Sequence, residues 1–434
     1  MTQKLPESLN RDELKERQES RLRHLIAEVL PHNQFWTRRF AAAGVKPHDL
    51  WTLDDLAQLP LTDKNSLVDD QLASPPYGTN LTGPPNRFCR LHQTSGTTGS
   101  PLRWLDTATS WDWVVSCWLQ IYRITGVTSD DVVAFPFSFG PFLGFWAAFD
   151  GAFRLGALCL PAGGLTSQGR LQMMRDNSAT VVCCTPTYAL RLAELAKDEG
   201  VDLKHGTVRA LIVAGEPGGN VPTIRERIEH LWGARLFDHW GMTEVGPLAV
   251  ECPENPGGIH VLEGECIAEI LDPVSHRPVE PGTEGELVVT NLGRVGSPLF
   301  RYQTGDLVVA DSEPCPCGRS LLRLKGGILG RIDDMFTIRG NNVVPGSIEA
   351  ILRQFSEIAE YRIDVETRRS MQHVKITIEP HHGVEVNGLL EKVSHTVKDR
   401  LQFQAEVIAA AAGQLPRFEL KARRFFYSGK SSDR

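Results

Sequence analysis

Between residues 130 and 250 the chain repeats one pattern. Short apolar or β-branched runs occur at "DDVVAFPF" (130–137), "GALCLP" (156–161), "ATVVCCTP" (179–186), "VRALIVAGEP" (208–217) and "ARLFDHWGMTE" (234–244). Amphipathic stretches such as "GRLQMMRDN" and "PTYALRLAELAKDEG" separate them. This alternation restricts the fold more than any other feature. Brief apolar runs closed by Pro, Gly or a polar cluster read as strands, and helical spacing between them reads as crossovers. Strands joined by helices form a parallel sheet covered by those helices, so the fold class is α/β. In such sheets ligands sit beyond the carboxyl ends of the strands, which is where the Gly and Pro punctuation falls.

The flanks differ. Residues 11–44 are charged, with Leu22, Leu25, Ile26, Val29 and Leu30 at helical spacing, and predict a solvated amphipathic helix. "LPLTDKNSL" (59–67) predicts a turn and a helix start capped by Thr62. "GECIAEILD" and "GELVVTNL" predict a smaller β region within 255–310. After residue 329, "AEYRIDVETR", "HVKITIEP" and "LLEKVSHTVKDRL" form a domain-sized α+β pattern. The expectation is a large N-terminal domain over 1–329, with mostly parallel sheet, covering helices and a small β region. A small α+β C-terminal domain follows over 330–434.

With 46 basic against 53 acidic residues, the net charge of -7 argues against a nucleic-acid partner. No apolar run is long enough to span a bilayer, and "MTQKLPESLNRDELKERQES" lacks the apolar core of a signal peptide. The expectation is a cytoplasmic protein with no membrane partner. Nine cysteines, an odd count, speak against a disulfide framework. Cys89, Cys117, Cys159, Cys183 and Cys184 lie in mostly apolar stretches and read as core thiols. Cys252, His260, Cys315 and Cys317 form C-x₇-H…C-x-C, and three thiolates with one imidazole suit tetrahedral zinc. Cys266 is a substitute ligand, and scattered reduced thiols are the competing reading.

"HQTSGTTGSP" (92–101) poses a question of its own. It is not a Walker A loop: Gly96 and Gly99 are too close together, and no Lys-Ser/Thr follows. Its backbone N–H groups and hydroxyls could surround phosphate oxygens. Composition alone leaves a phosphate cradle and a plain loop equally open.

Five further motifs follow in order: "AGEPGGN" (214–220), "DHWGMTEVGP" (238–247), "RYQTGDL" (301–307), "GRIDDMFTIRG" (330–340) and "LPRFELKARR" (415–424). With the loop, they resemble the ordered core motifs of the adenylate-forming superfamily. The phenylacetate–CoA ligase-like branch is the closer match, through "FWTRRFAAAGVKPHDLWTLDDLAQLPLTDKNSL", "TPTY" (185–188) and "CPCGR" (315–319). The resemblance covers most of the chain.

That resemblance implies an AMP-forming ligase. An aromatic acid of the phenylacetate, benzoate or anthranilate type would attack the α-phosphorus of ATP, giving acyl-AMP and pyrophosphate. The acyl group would then pass to the thiol of coenzyme A. Charge gathers on phosphate oxygens in the first step, so the site needs donors and a cation. The resemblance places Thr94, Ser95, Gly96, Thr97, Thr98 and Gly99 on the β- and γ-phosphates, with Ser100 where the family usually has Lys. Glu244 would hold Mg²⁺ and Thr243 would bond the α-phosphate. Trp240 stands where the branch usually has Tyr and would stack on adenine, flanked by His239 and Gly241. Gly215, Glu216 and Pro217 would line the other side. Asp306 would accept from the ribose hydroxyls, with Arg331 beside it.

Asp333 matches the hinge about which a mobile C-terminal domain pivots, and Gly340 would approach pantetheine. Lys421 matches the late catalytic lysine, with Lys430 as its rival. Phe135, Phe139 and Gly140 of "FPFSFGPFLGFW", with Tyr188 and Gly215, would line the acid pocket. The Cys/His set would hold a structural zinc. Four alternatives stay open: a carrier protein's phosphopantetheine thiol as acceptor, an amine as acceptor, a non-catalytic nucleotide-binding protein, and a zinc-stabilised interaction module that binds no ATP. A homodimer is a further expectation.

Overall fold

A computed structural model describes residues 4–94, 101–332, 336–338, 341–343, 345–368, 371–401, 403–418 and 424–428. At its centre lies an eight-stranded sheet. Five of its strands, Val132–Ala134, Leu158–Leu160, Val181–Cys184, Ala210–Val213 and Arg235–Met242, are parallel. They are the five apolar runs of the sequence. Gly246–Glu251, Gly258–Val261 and Arg323–Lys325 continue the sheet antiparallel.

The two faces of this sheet explain the apolar runs. Val181, Cys183, Ala210 and Ile212 pack on one side with Ala108–Thr125 and Trp146–Leu155. Val182, Cys184, Leu211 and Val213 pack on the other with Ser167–Asp176, Pro186–Asp198 and Pro222–Trp232. Both faces are buried, so alternation disappears from the sequence. The strand order reverses at Val132–Ala134, which pairs with Leu158–Leu160 on one side and Val181–Cys184 on the other. Ligand crevices form beyond such a switch point.

The small β region is a second sheet of Cys266–Leu271, Glu284–Asn291, Tyr302–Val309 and Gly330–Arg331. The C-terminal unit has its own four-stranded sheet of Ile358–Arg368, Met371–Pro380, Glu406–Ala409 and Phe425–Ser428. Pro345–Leu352 and Val386–Leu401 cover it, around a core that includes Ile363, Ile376 and Val393. Asp306 and Leu307 pair with Arg331 and Gly330. Those last two residues therefore stay with the large unit, and the expected boundary at 329/330 cuts through a strand pairing.

Three local expectations also need correction. The 11–44 segment is two helices, Arg11–Val29 and Gln34–Ala43, and it is not simply solvated. Leu14, Leu22, Leu25 and Val29 are fully buried, while Arg11, Arg17 and Arg21 pair with Glu263 and Glu265. Thr62 is not a cap. Asp63 caps Lys64–Ala73 by accepting from the Ser66 N–H, and the Thr62 backbone bridges to Arg301 and Gln303. Among the supposed core thiols, Cys89 is exposed and Cys159 half-buried. Among the described residues, no helix is long and apolar enough to cross a membrane.

Candidate active site

The parallel strands deliver their following loops to one edge of the sheet. The aromatic loop follows Val132–Ala134, "TPTY" follows Val181–Cys184, and residues 214–220 follow Ala210–Val213. Arg235–Met242 runs directly into Thr243 and Glu244.

Trp240 is 8% exposed, and its Nε1–H donates to Asp306 Oδ2 at 2.8 Å. Arg331 Nη1 donates to Asp306 Oδ1 at 3.1 Å. Three motifs distant in sequence therefore meet on one carboxylate. Glu244 lies nearby, 2% exposed, and its Oε1 accepts the Tyr302 hydroxyl at 3.2 Å. Among the described residues that is the only hydrogen bond to its carboxylate, and the carboxylate has no ion pair. A buried carboxylate answered by one phenol is short of positive charge, and a hard divalent cation would supply it. Burial and the neighbouring Glu244 push the Tyr302 phenol well up, so it remains a donor.

Sequence reasoning missed Tyr302, although it stands inside a quoted motif. It also missed Arg294 and Asp106, both fully buried. Arg294 donates through Nε and Nη2 to the two oxygens of Asp106 at 2.7 and 2.5 Å. Its Nη1 donates to the Thr243 carbonyl at 2.5 Å and the Glu244 carbonyl at 3.2 Å. No motif marks this pair; a lone Arg in "NLGRVG" and a lone Asp in "RWLDT" carry no local signal.

Thr94 closes the base of the hairpin Phe88–Gln93/Arg103–Thr107. Its N–H donates to the Leu102 carbonyl and its hydroxyl accepts from Leu102 N–H, each at 3.0 Å. The hydroxyl is thus already engaged by backbone. Gln93 N–H donates to the Pro141 carbonyl at 2.6 Å and ties this hairpin to the aromatic loop. Ser95, Gly96, Thr97, Thr98, Gly99 and Ser100 lie outside the described residues, as do Asp333, Gly340, Lys421 and Lys430. Gly215 takes a left-handed φ of 93° and is exposed, like Pro217 and Gly241. Glu216 instead braces "TPTY": its Oε1 accepts the Thr187 N–H at 2.8 Å.

His239 does not join Trp240 at the Asp306 carboxylate, because successive strand residues point to opposite sides. Its ring lies 4.7 Å from Trp118, and its Nδ1 pairs with the Ala249 carbonyl at 2.7 Å. Burial lowers its pKa to about 4 and keeps it neutral.

The aromatic loop forms one nest. Phe137 meets Phe139, Phe142 and Phe145 edge-on at 5.4, 5.6 and 5.3 Å. Phe139 also meets Trp146 at 4.7 Å, and Phe135 packs fully buried against Phe149. Gly140 belongs here for want of room: a Cβ would lie 2.5 Å from Phe142 Cε1. Tyr188 does not belong. It sits in the core on the opposite sheet face, its hydroxyl held by Arg170 at 2.8 Å and Ser167 at 3.0 Å. "TPTY" is a helix start in which Thr185 caps and Pro186 opens Pro186–Asp198. The tyrosine consequently faces the covering helices.

Cys252, His260, Cys315 and Cys317 place their ligating atoms within 4.8 Å of one another. Cys252 and Cys315 sulfurs are 3.7 Å apart, and Cys317 Sγ is 3.4 Å from His260 Nε2. A tetrahedral centre with metal–sulfur bonds of about 2.3 Å sets sulfur pairs about 3.8 Å apart. His260 Nδ1 pairs with the Leu321 carbonyl at 3.2 Å, which leaves Nε2 as the ligating nitrogen. Cys266 is elsewhere, its thiol donating to the Leu262 carbonyl.

Comparison with known proteins adds independent findings. A family profile described as AMP-binding enzyme matches residues 18–293, and one described as AMP-binding enzyme C-terminal domain matches 340–428. The chain is 31% identical to a phenylacetate-coenzyme A ligase of Thermus thermophilus, over 95% of this chain and 96% of the relative. It is 32% identical to a Pseudomonas putida enzyme of the same name, over 96% and 94%. Among solved structures, 2-hydroxyisobutyryl-CoA ligase in its postadenylation state, with 2-HIB-AMP, matches with a TM-score of 0.91. Identity is 30%, over 97% of this chain and 91% of that one. The same ligase in its thioesterification state, with 2-HIB-AMP and CoA, matches at 0.74.

Proposed function

This chain belongs to the AMP-binding enzyme family, and from that premise we propose that it activates a carboxylic acid with ATP and transfers the acyl group to coenzyme A. An aromatic acid of the phenylacetate type is the substrate the relatives' names and the phenylalanine nest support together. The observation that carries the reading is the meeting of Trp240, Asp306, Arg331 and Glu244 at the carboxyl edge of the parallel strands. Trp240 sets an indole against a carboxylate suited to vicinal hydroxyls, a pairing that would suit a nucleoside. Asp306, fixed by Trp240 and Arg331, would receive the ribose.

Glu244, with its hydroxyl partner Tyr302, would hold Mg²⁺. A magnesium ion bound there would offset charge on the phosphate oxygens during attack. Thr243 would donate to the α-phosphate, and the backbone and hydroxyls of 94–99 would enclose the departing pyrophosphate. Lys421 would bridge the acid carboxylate and the α-phosphate as a point charge. Its position in the chain supports this. Arg424, three residues on, pairs with Glu360 of the small unit and lies 3.5 Å from Thr187 Oγ1 of the large one. The small unit from about residue 333 would pivot at Asp333 between the two half-reactions, exchanging Lys421 for the Gly340 region. The Cys/His cluster would hold zinc with all four positions filled by protein, a structural role.

The test is one incubation series. ATP, Mg²⁺ and a panel of phenylacetate, benzoate, anthranilate and 2-hydroxyisobutyrate are assayed for pyrophosphate release. Coenzyme A, a phosphopantetheinylated carrier protein and a simple amine are then offered to the product. Release with an aryl acid and thioester formation with coenzyme A is the expected outcome. Silence across the panel would overturn catalysis in favour of nucleotide binding alone. Preference for 2-hydroxyisobutyrate would overturn the aromatic assignment and keep the chemistry.

A further inference from the structure

We infer that Arg294 is a positioning residue for adenylation: it sets the turn carrying Thr243 and Glu244 and ties that turn to the hairpin of the Thr/Ser/Gly loop. The inference rests on the reading that Glu244 serves the cation and Thr243 the α-phosphate.

Three observations carry it. The guanidinium divides its donors. Two N–H groups go to Asp106 at 2.7 and 2.5 Å, and Nη1 reaches the carbonyls of both proposed phosphate-side residues at 2.5 and 3.2 Å. Lysine, a single rotatable ammonium, cannot span both partners in one fixed plane. Arg294 and Asp106 are also fully buried, so their mutual geometry is not loosened by water. Burial alone would raise the Asp106 carboxyl, but Arg294 beside it outweighs that and holds it below the ordinary range, ionised.

Placement supplies the third. Asp106 stands on Arg103–Thr107, the strand that leaves the loop, and His92 on the strand that enters it lies 3.8 Å from the same carboxylate. Arg294 itself lies between Glu284–Asn291 and Tyr302–Val309, the latter carrying Tyr302 and Asp306. One cation therefore joins the segments that would face the phosphates, the cation and the ribose. A buried ion pair is a poor source of stability compared with an apolar pair of equal volume. What this fork provides is a fixed direction for two carbonyls, and with them the two side chains of the turn.

The test compares Arg294→Lys with wild type by three measurements. These are pyrophosphate exchange as a function of Mg²⁺, calorimetric binding of ATP with and without Mg²⁺ in the absence of acid, and coenzyme A capture of preformed acyl-AMP. Arg294→Lys is expected to raise the half-maximal Mg²⁺ concentration about tenfold, the worth of one misplaced charged hydrogen bond. It should weaken ATP binding most with Mg²⁺ and less without it, where only the Thr243 contact is lost, and leave acyl-AMP capture unchanged. In a Glu244→Gln background the same change should cost less than in wild type, because the part that acts through Glu244 is already lost. If Arg294→Lys does not fold, Asp106→Asn replaces it, with a smaller shift in the same direction.

An unchanged Mg²⁺ dependence, an equal loss in both half-reactions, or strict additivity with Glu244→Gln would overturn the inference in an enzyme that is otherwise active. Wild type that releases no pyrophosphate with any acid would instead overturn the functional reading on which it rests.

Discussion

The Cys/His cluster and the corner around Asp306 and Glu244 each draw their members from stretches far apart in one chain. In the cluster the four ligating atoms turn toward one another, within 4.8 Å. His260 is fully buried, and its second nitrogen is spoken for by Leu321. In the corner, protein groups answer each other only in part. Among the described residues Glu244 has only a phenol where a buried carboxylate calls for a cation, and the Trp240 indole lies against the carboxylate its N–H holds. A closed set of donors is completed by a single ion and does the same thing in every state of the protein. An open set is completed by a substrate. Disturbing the first should therefore change stability, and disturbing the second should change rate.

The largest effect expected is at the cluster. Structural zinc contributes on the order of 10 kcal/mol to folding in small peptides, and less where a sheet already frames the site. Cys315→Ser, or exhaustive chelation, should lower the melting temperature by about 10 °C or more. ATP affinity should follow only as the protein unfolds. A chelated protein that melts where the untreated one does would show that the cluster holds no stabilising ion. Next is Glu244→Gln, expected to cut pyrophosphate exchange about 10²–10³-fold, as for the loss of one positioned charge stabiliser. The melting temperature should hold or rise slightly, since a buried charge is neutralised. Capture of preformed acyl-AMP by coenzyme A should be untouched.

The two regions were also unequally legible. All four cluster residues could be chosen from sequence because Cys and His are scarce and their chemistry is narrow. Asp306, Trp240 and Glu244 stand out only through motif order, since a lone Asp after Gly is usually a turn. Tyr302 and Arg294 were missed, because a Tyr and an Arg near a strand have many uses. The central sheet was readable from its five apolar runs, of which Val181–Cys184 and Ala210–Val213 are buried on both faces. Tyr188 was misplaced for a related reason. An aromatic beside a Gly/Pro-rich edge suggests a pocket wall, but Thr185 and Pro186 start a helix there and turn the ring to the other face. Helix 11–29 was misjudged because Arg and Glu dominate its composition, while its apolar stripe and three arginines are taken up by the large unit.

His239 sharpens the comparison, for it lies on the strand of the corner yet is closed like the cluster. Burial holds its pKa near 4, below the ordinary 6.5. Between those values the unfolded chain binds the extra proton and the folded chain does not. Stability therefore rises with pH across this window and is lost as pH falls from about 6.5 toward 4, by up to about 3 kcal/mol. His239→Phe should flatten that acid limb in denaturation curves taken at several pH values. Equal slopes in the two proteins would show that the imidazole is not held neutral.

The smallest effect expected is at Trp240, and it tests the comparison most directly. Trp240→Phe keeps a ring for stacking and removes the N–H that Asp306 accepts. Arg331 still answers the same carboxylate, so its charge is not stranded. The loss should then be that of one hydrogen bond to a charged group, and KM for ATP should rise about five- to tenfold. Turnover at saturating ATP should stay within about twofold, because the bond serves ground state and transition state alike. Trp240→Leu should cost more, by the stacking it also removes. The rival account treats Trp240 as a core aromatic that happens to touch Asp306. That account expects the reverse: a lower melting temperature for both variants, with KM for ATP unmoved in whatever fraction remains folded. A change in KM without a change in stability assigns the indole to the open set. A change in stability without a change in KM moves it to the closed one, and the nucleotide corner loses its adenine wall.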